Sequence, residues 1–220
     1  MKLKNYLLLI LILTLLIPLA ILIKKDKGVS EEINSTQNQN SSTEEVVKID
    51  NSVTSTSIPV YKKLININYS KGVIIEPEYL VIHETANTKV GADANAHYRY
   101  WSTNPTANAS THFVVDSTQI YQMLELNQMA WHVGDNRGYS DITNKNSIGI
   151  EIAVNADGDY EMARQNAINL SIKIMKDLKM DISQLKTHND ASGKNCPTIM
   201  LANRPLLDDF YEQVAKGLES

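Results

Sequence analysis

Eighteen consecutive residues without a charge, Tyr6 to Ile23 (YLLLILILTLLIPLAILI), constrain this 220-residue chain more than any other stretch. A helix of that length spans about 27 Å, close to the hydrocarbon thickness of a bilayer. The run is longer than a usual signal-peptide apolar core, and no A-x-A-like cleavage site follows it. Lys24, Lys25 and Lys27 follow instead. These features favour a retained anchor in residues 1–25, contacting the membrane through 6–23, over a cleaved signal that would leave the protein secreted. A core helix is a poor reading of so many unbroken apolar positions. Lysines flank both ends, so charge alone leaves the orientation open.

The composition then changes. "EEINSTQNQNSSTEEVVKIDNSVTSTS" has no aromatic residue and is rich in Ser, Thr, Asn and Glu. Such a segment buries too little apolar surface to offset its ordering entropy, so residues 26–60 are expected to form a disordered polar linker. Its root-mean-square reach would be about 30 Å, against a stretched limit near about 120 Å. Residues 61–220 remain for a single folded domain. The formal net charge of the chain is -4, which leaves no electrostatic footprint for nucleic acid.

Within that domain "EYLVIHET" reads as a buried strand ending on His83, and "ADANAHYRYW" (92–101) as a helix. "STHFVVDSTQIYQML" reads as a hairpin turning at Asp116–Ser117, and "NSIGIEIAV" as a strand stopping at the Asn155–Gly158 turn. Met162, Ala167, Leu170, Ile174 and Leu178 recur at helical spacing, which predicts a long amphipathic helix. "RPLLDDFYEQVAKGLE" predicts a closing helix with Pro205 in its first turn. Strands interleaved with helices imply an α/β domain, a mixed central sheet with helices packed on it.

The only cysteine sits in "THNDASGKNCPT" (187–198), beside Lys194, Asn195 and Pro197. These polar and loop-forming neighbours argue against a simple core cysteine, and one thiol cannot form an internal disulfide. A reactive thiol or a metal ligand remains. His188, eight positions before Cys196, can fold onto the same ion. A structural zinc site takes four protein ligands, whereas a catalytic one takes three and leaves a position for water. His83 is the best candidate for the third, because a strand end lies at the sheet's rim. His97, His112 and His132 are the other histidines.

"YLVIHETAN", "THFVVD", "AWHVGD", "SIGIEI" and "THNDASGKNCP" occur in the order found in one enzyme family. Through them the chain resembles the zinc-dependent N-acetylmuramoyl-L-alanine amidases of the second type, a family of phage lysins, bacterial autolysins and peptidoglycan-recognition proteins. The resemblance runs from about Tyr79 to Pro197. It implies one zinc ion per chain, held by His83, His188 and Cys196, with Glu151 as acid/base and Lys194 stabilising developing negative charge. It places His132 at the substrate groove, with Trp131, Asn87 and Thr111 as further substrate-contact candidates. The local pattern is compatible: Ile148, Ile150 and Ile152 share one strand face, leaving Glu151 on the other with Gly149. Some family members carry a catalytic tyrosine where this chain has Thr111, whose hydroxyl does not titrate usefully, so the proton chemistry falls to Glu151.

The implied reaction is hydrolysis of the bond between N-acetylmuramic acid and the L-alanine of the peptidoglycan stem peptide, by a monomer. An external substrate would place the catalytic domain outside the cell membrane and the N-terminus in the cytoplasm. Three rivals remain open. One is a non-catalytic peptidoglycan-binding module, a type whose members typically lack the cysteine ligand. Another is a zinc peptidase of a different class, although no H-E-x-x-H motif occurs. The third is a thiol hydrolase using Cys196 and His188.

Overall fold

Apolar runs become strands and periodic segments become helices in the computed structural model of the chain, which describes residues 46–49, 58–134 and 138–220. The strands are β1 (Val46–Ile49), β2 (Ile58–Lys62), β3 (Ser70–Ile74), β4 (Tyr79–Glu84), β5 (Phe113–Val115), β6 (Ile120–Gln122), β7 (Gln128–Met129), β8 (Ser147–Ile152) and β9 (Leu185–Thr187). The helices are α1 (Ala94–Thr103), α2 (Tyr160–Leu178), α3 (His188–Ser192), α4 (Thr198–Ala202) and α5 (Arg204–Glu219).

One mixed sheet has the order β1-β2-β6-β5-β8-β4-β9, and β3 pairs separately with β7. Within the larger sheet β5, β8, β4 and β9 run parallel, while β6 returns antiparallel beside β5 through the turn at Asp116. Parallel strands are covered on both faces, which is why "YLVIHE" and "SIGIEI" read as nearly unbroken apolar runs. Leu80, Ile82, Ile148, Ile150 and Ile152 pack against Ala167, Leu170 and Ile174 of α2 and Leu207, Phe210 and Val214 of α5. On the other face Ala94 and Trp101 of α1 meet Val114 and Tyr121, and a smaller cluster joins Val81, Val133, Ile142 and Ala191.

Local chemistry sets the helix ends. The Asp93 carboxylate accepts the Ala96 N–H, so α1 starts two residues later than its composition suggests. Asp159 caps α2 in the same way, and Lys179 ends it in the left-handed conformation. Met162, expected on the buried face of α2, is exposed; Ala163 lies against the sheet instead.

The linker expectation needs correction. Strand β1 and the first three residues of β2 fall inside residues 26–60, and they pair antiparallel from Val46↔Tyr61 to Ile49↔Ile58. Strand-forming residues such as Val46, Val47 and Ile49 are enough for an edge pairing, although the tract as a whole is polar. The remainder of that tract, and the 6–23 run, lie outside the described residues. Among the described residues no helix is long and apolar enough to cross a membrane.

Candidate metal centre

Strand β4 lies between β8 and β9, all three parallel, so their carboxyl ends open into one crevice. His83 occupies the penultimate position of β4, directly across from Glu151 of β8. Thr187 pairs beside Ile82 and ends β9. Its hydroxyl accepts the Asp190 N–H while the Asp190 carboxylate accepts the Thr187 N–H, a reciprocal cap that starts α3 immediately at His188. Gly193, with φ 73°, then closes α3 by donating to the Asn189 carbonyl. That left-handed turn favours glycine. Asn189 N–H donates to the Cys196 carbonyl at 2.9 Å, folding the cysteine back over α3.

The result brings His83, His188 and Cys196 together, all buried, with donor atoms within 4.8 Å of one another. His83 Nδ1 stands 2.9 Å from His188 Nδ1 and 3.9 Å from Cys196 Sγ. Zinc bonds of about 2.0–2.1 Å to nitrogen and about 2.3 Å to sulfur put tetrahedral donors roughly 3.3–3.6 Å apart, a range these distances bracket.

Hydrogen bonding orients the first of these candidate donors. His132 Nε2 is 3.3 Å from the Ser147 carbonyl oxygen, which can only accept, so Nε2 carries the proton. His132 Nδ1 therefore accepts from His83 Nε2, at 3.0 Å. His83 Nδ1 is left with a lone pair aimed at His188 and Cys196, the tautomer that a metal ligand requires. Burial, with His132 and His188 nearby, holds the His83 pKa well below its ordinary value, which keeps this ring neutral. The Cys196 thiol is pushed up to about 12, first by burial and then by Glu151. Only a bound cation would ionise it in that setting. This donor set fits a catalytic zinc ion.

Glu151 shares the crevice. One of its oxygens is fully buried with no hydrogen-bond partner. Burial raises its carboxyl to about 8, against the lowering pull of the Lys194 ammonium. The same ammonium lowers the His83 and Cys196 values, which places Lys194 within electrostatic range of all three groups.

The substrate-contact expectations divide. His132 is buried, with its Nδ1 3.0 Å from His83 Nε2. Thr111 is fully buried, and its hydroxyl has no hydrogen-bond partner. A Cβ on Gly149 would lie 2.7 Å from the Thr111 hydroxyl and 2.8 Å from His132 Nδ1, so only glycine lets the strand pass beneath both. Trp131 is half-buried and donates its indole N–H to the Ser70 hydroxyl. Asn87 lines a cleft of about 400 Å³ with Thr85, Ala96, His97, Tyr100 and Trp101. His97 donates to the Asp93 carbonyl within α1, and His112 accepts the Gly149 N–H, so neither is a ligand. Cys196 is buried, contrary to the reading of its polar neighbours, because its loop folds inward. Sequence reasoning missed Glu84, Ser147 and the part played by Gly149.

Comparison with known proteins follows this geometry. A family profile described as N-acetylmuramoyl-L-alanine amidase matches residues 75–199. N-acetylmuramoyl-L-alanine amidase XlyA of Bacillus subtilis (strain 168) is 44% identical over 137 residues, 62% of this chain and 45% of that protein. N-acetylmuramoyl-L-alanine amidase CwlH of the same organism is 43% identical over 149 residues, 68% of this chain and 56% of that protein. The chain therefore spans about half the length of these curated relatives. The solved catalytic domain of XlyA superposes with a TM-score of 0.63 at 41% identity, covering 70% of this chain and 98% of that one. A mutant endolysin from Bacillus subtilis superposes with a TM-score of 0.65 at 40% identity, covering 71% and 99%.

Proposed function

The chain belongs to the N-acetylmuramoyl-L-alanine amidase family, and from that premise we propose that it is a zinc-dependent peptidoglycan hydrolase. The bond cut is the amide between the lactyl group of N-acetylmuramic acid and L-alanine of the stem peptide. The observation that carries this reading is the convergence of His83, His188 and Cys196 beside an unpartnered Glu151 oxygen.

His83, His188 and Cys196 would hold one zinc ion per chain. When bound, zinc polarises the amide carbonyl and brings the pKa of water toward about 7. Glu151 takes the proton of the attacking water and returns it to the departing alanine nitrogen. Its raised pKa suits it to hold that proton between the two transfers. Lys194 opposes the negative charge that develops on the carbonyl oxygen. All five side chains come from one chain, so a monomer suffices.

Two rivals lose ground. A non-catalytic binding module has no need of Cys196, which here completes the donor set. A thiol hydrolase needs an ionisable nucleophile, whereas burial pushes this thiol up to about 12. In the same proposal residues 6–23 anchor the protein in the cell membrane, residues 26–45 tether it, and the amidase domain faces the wall outside. The charge-free run and the polar tract after it support that arrangement.

Digestion of purified peptidoglycan by the full chain, followed by mass spectrometry of the released ends, tests the reaction. Stem peptides with a free L-alanine amino terminus support it, and new reducing sugar ends without such peptides reject it. For the anchor, a mature protein in the medium starting near Lys27 would overturn the arrangement.

A further inference from the structure

We propose that Glu84 is the positioning residue that holds Cys196 at the metal centre. Glu84 follows His83 on β4, so strand alternation turns its side chain to the opposite sheet face and prevents it from being a ligand itself. Glu84 is nevertheless buried, and an unpaired carboxylate there would be costly. Its carboxylate is instead fully engaged. Oε2 accepts the Ile199 N–H at 2.6 Å, while Oε1 accepts the Met200 N–H at 3.3 Å and the Tyr160 hydroxyl at 2.6 Å.

Two of those three donors belong to the first turn of α4. That helix has Pro197 at its N-cap and no side-chain cap of its own, so its leading N–H groups would otherwise lack partners. Glu84 supplies the cap from more than a hundred residues away. Its backbone contributes as well: the Glu84 N–H points at Cys196 Sγ, 3.4 Å away. One residue therefore grips the segment at Cys196 through its main chain and at Ile199 and Met200 through its side chain. The adjacent residue is the ligand His83, so the distance between the imidazole and the thiol is set by neighbouring positions on one rigid strand. A carboxylate is needed because a glutamine would turn an amide N–H₂ toward a donor that now finds an acceptor.

The inference rests on the zinc reading of the three donors and not on which bond is cut, so failure of the peptidoglycan assay leaves it standing. Zinc affinity is measured on the full chain by competition with a chelator. Cobalt(II) replacement then reports sulfur ligation through the sulfur-to-cobalt charge-transfer band. Folded Glu84→Gln is expected to lose roughly 10–100-fold in zinc affinity, the usual consequence of removing an outer-shell partner, and to show a weakened charge-transfer band. Tyr160→Phe, which breaks only the tie to α2, should leave both readouts unchanged. If Glu84→Gln does not fold, Glu84→Asp, which keeps the charge on a shorter stem, carries the same test. Unchanged zinc affinity with an unaltered cobalt spectrum would overturn the proposal, as would an equal loss in Tyr160→Phe.

Discussion

His83 donates its Nε2 proton to His132 Nδ1 across 3.0 Å, and His132 in turn faces the Ser147 carbonyl with Nε2. A main-chain oxygen on β8 therefore dictates, through one intervening ring, which nitrogen of His83 is left open. His132→Ala removes the intermediary and lets His83 change tautomer or rotate. We expect a fall in zinc affinity of roughly 10–100-fold, measured by chelator competition. Retention of full affinity would mean that packing alone orients His83.

Glu151→Ala separates proton transfer from metal binding. Zinc content, by elemental analysis, should be retained, while turnover on peptidoglycan falls roughly 10²–10⁴-fold. Lys194→Ala should also keep the metal and lose about 10²–10³-fold, as expected for an oxyanion donor. Full turnover in Glu151→Ala would remove it from the mechanism.

Chelation distinguishes the metal enzyme from a thiol enzyme. Activity should disappear on zinc removal and return when zinc is added back. Cys196→Ser should bind zinc more weakly, because a hydroxyl is a less readily ionised ligand than a thiol. Activity that survives exhaustive chelation would favour the thiol route.

Gly149→Ala introduces a methyl group 2.7–2.9 Å from Thr111 and the His132 ring. Overpacking of this kind costs about 1–3 kcal/mol. Because β8 is fixed between two strands, part of the strain should displace His132. We expect a lower thermal midpoint together with weaker zinc binding, and a lower midpoint with unchanged zinc binding would show that Thr111 alone yields.

His112 makes stability sensitive to acid. Burial lowers its pKa to about 4, while the unfolded chain protonates near the ordinary histidine value of 6.5. Between those values the unfolded state binds more protons than the native one, so this contribution is present above about pH 6.5 and is lost as pH falls toward 4. Urea unfolding of chelated protein should show a declining midpoint across that window. In His112→Asn the decline should be smaller, and an identical pH profile would contradict the assignment.

Much of this centre is legible in the amino-acid sequence, for identifiable reasons. His83 closes a strand, and His188 and Cys196 share a glycine-containing loop, so three donors at a sheet's rim follow from local pattern together with resemblance. Glu151 comes from the resemblance, and alternation within "SIGIEI" shows only that it is free to face the site. Glu84 escapes because it sits on the core side of its strand, where a carboxylate looks like a misfit until its distant donors are known. The burial of His132 and Thr111 is not visible in linear order, because it depends on the room left by the absent side chain at Gly149. The three residues of β9 are too few to show a period, and β1 is masked by the polarity of its surroundings.

The donor set joins positions far apart along the chain: 105 residues separate His83 from His188, and 113 separate it from Cys196. A nascent or truncated polypeptide ending before Cys196 possesses β4 and β8 but cannot assemble the complete centre. The three donors therefore come together only once the loop carrying Cys196 has docked against β4, so strand pairing and loop closure are joined in one step of folding.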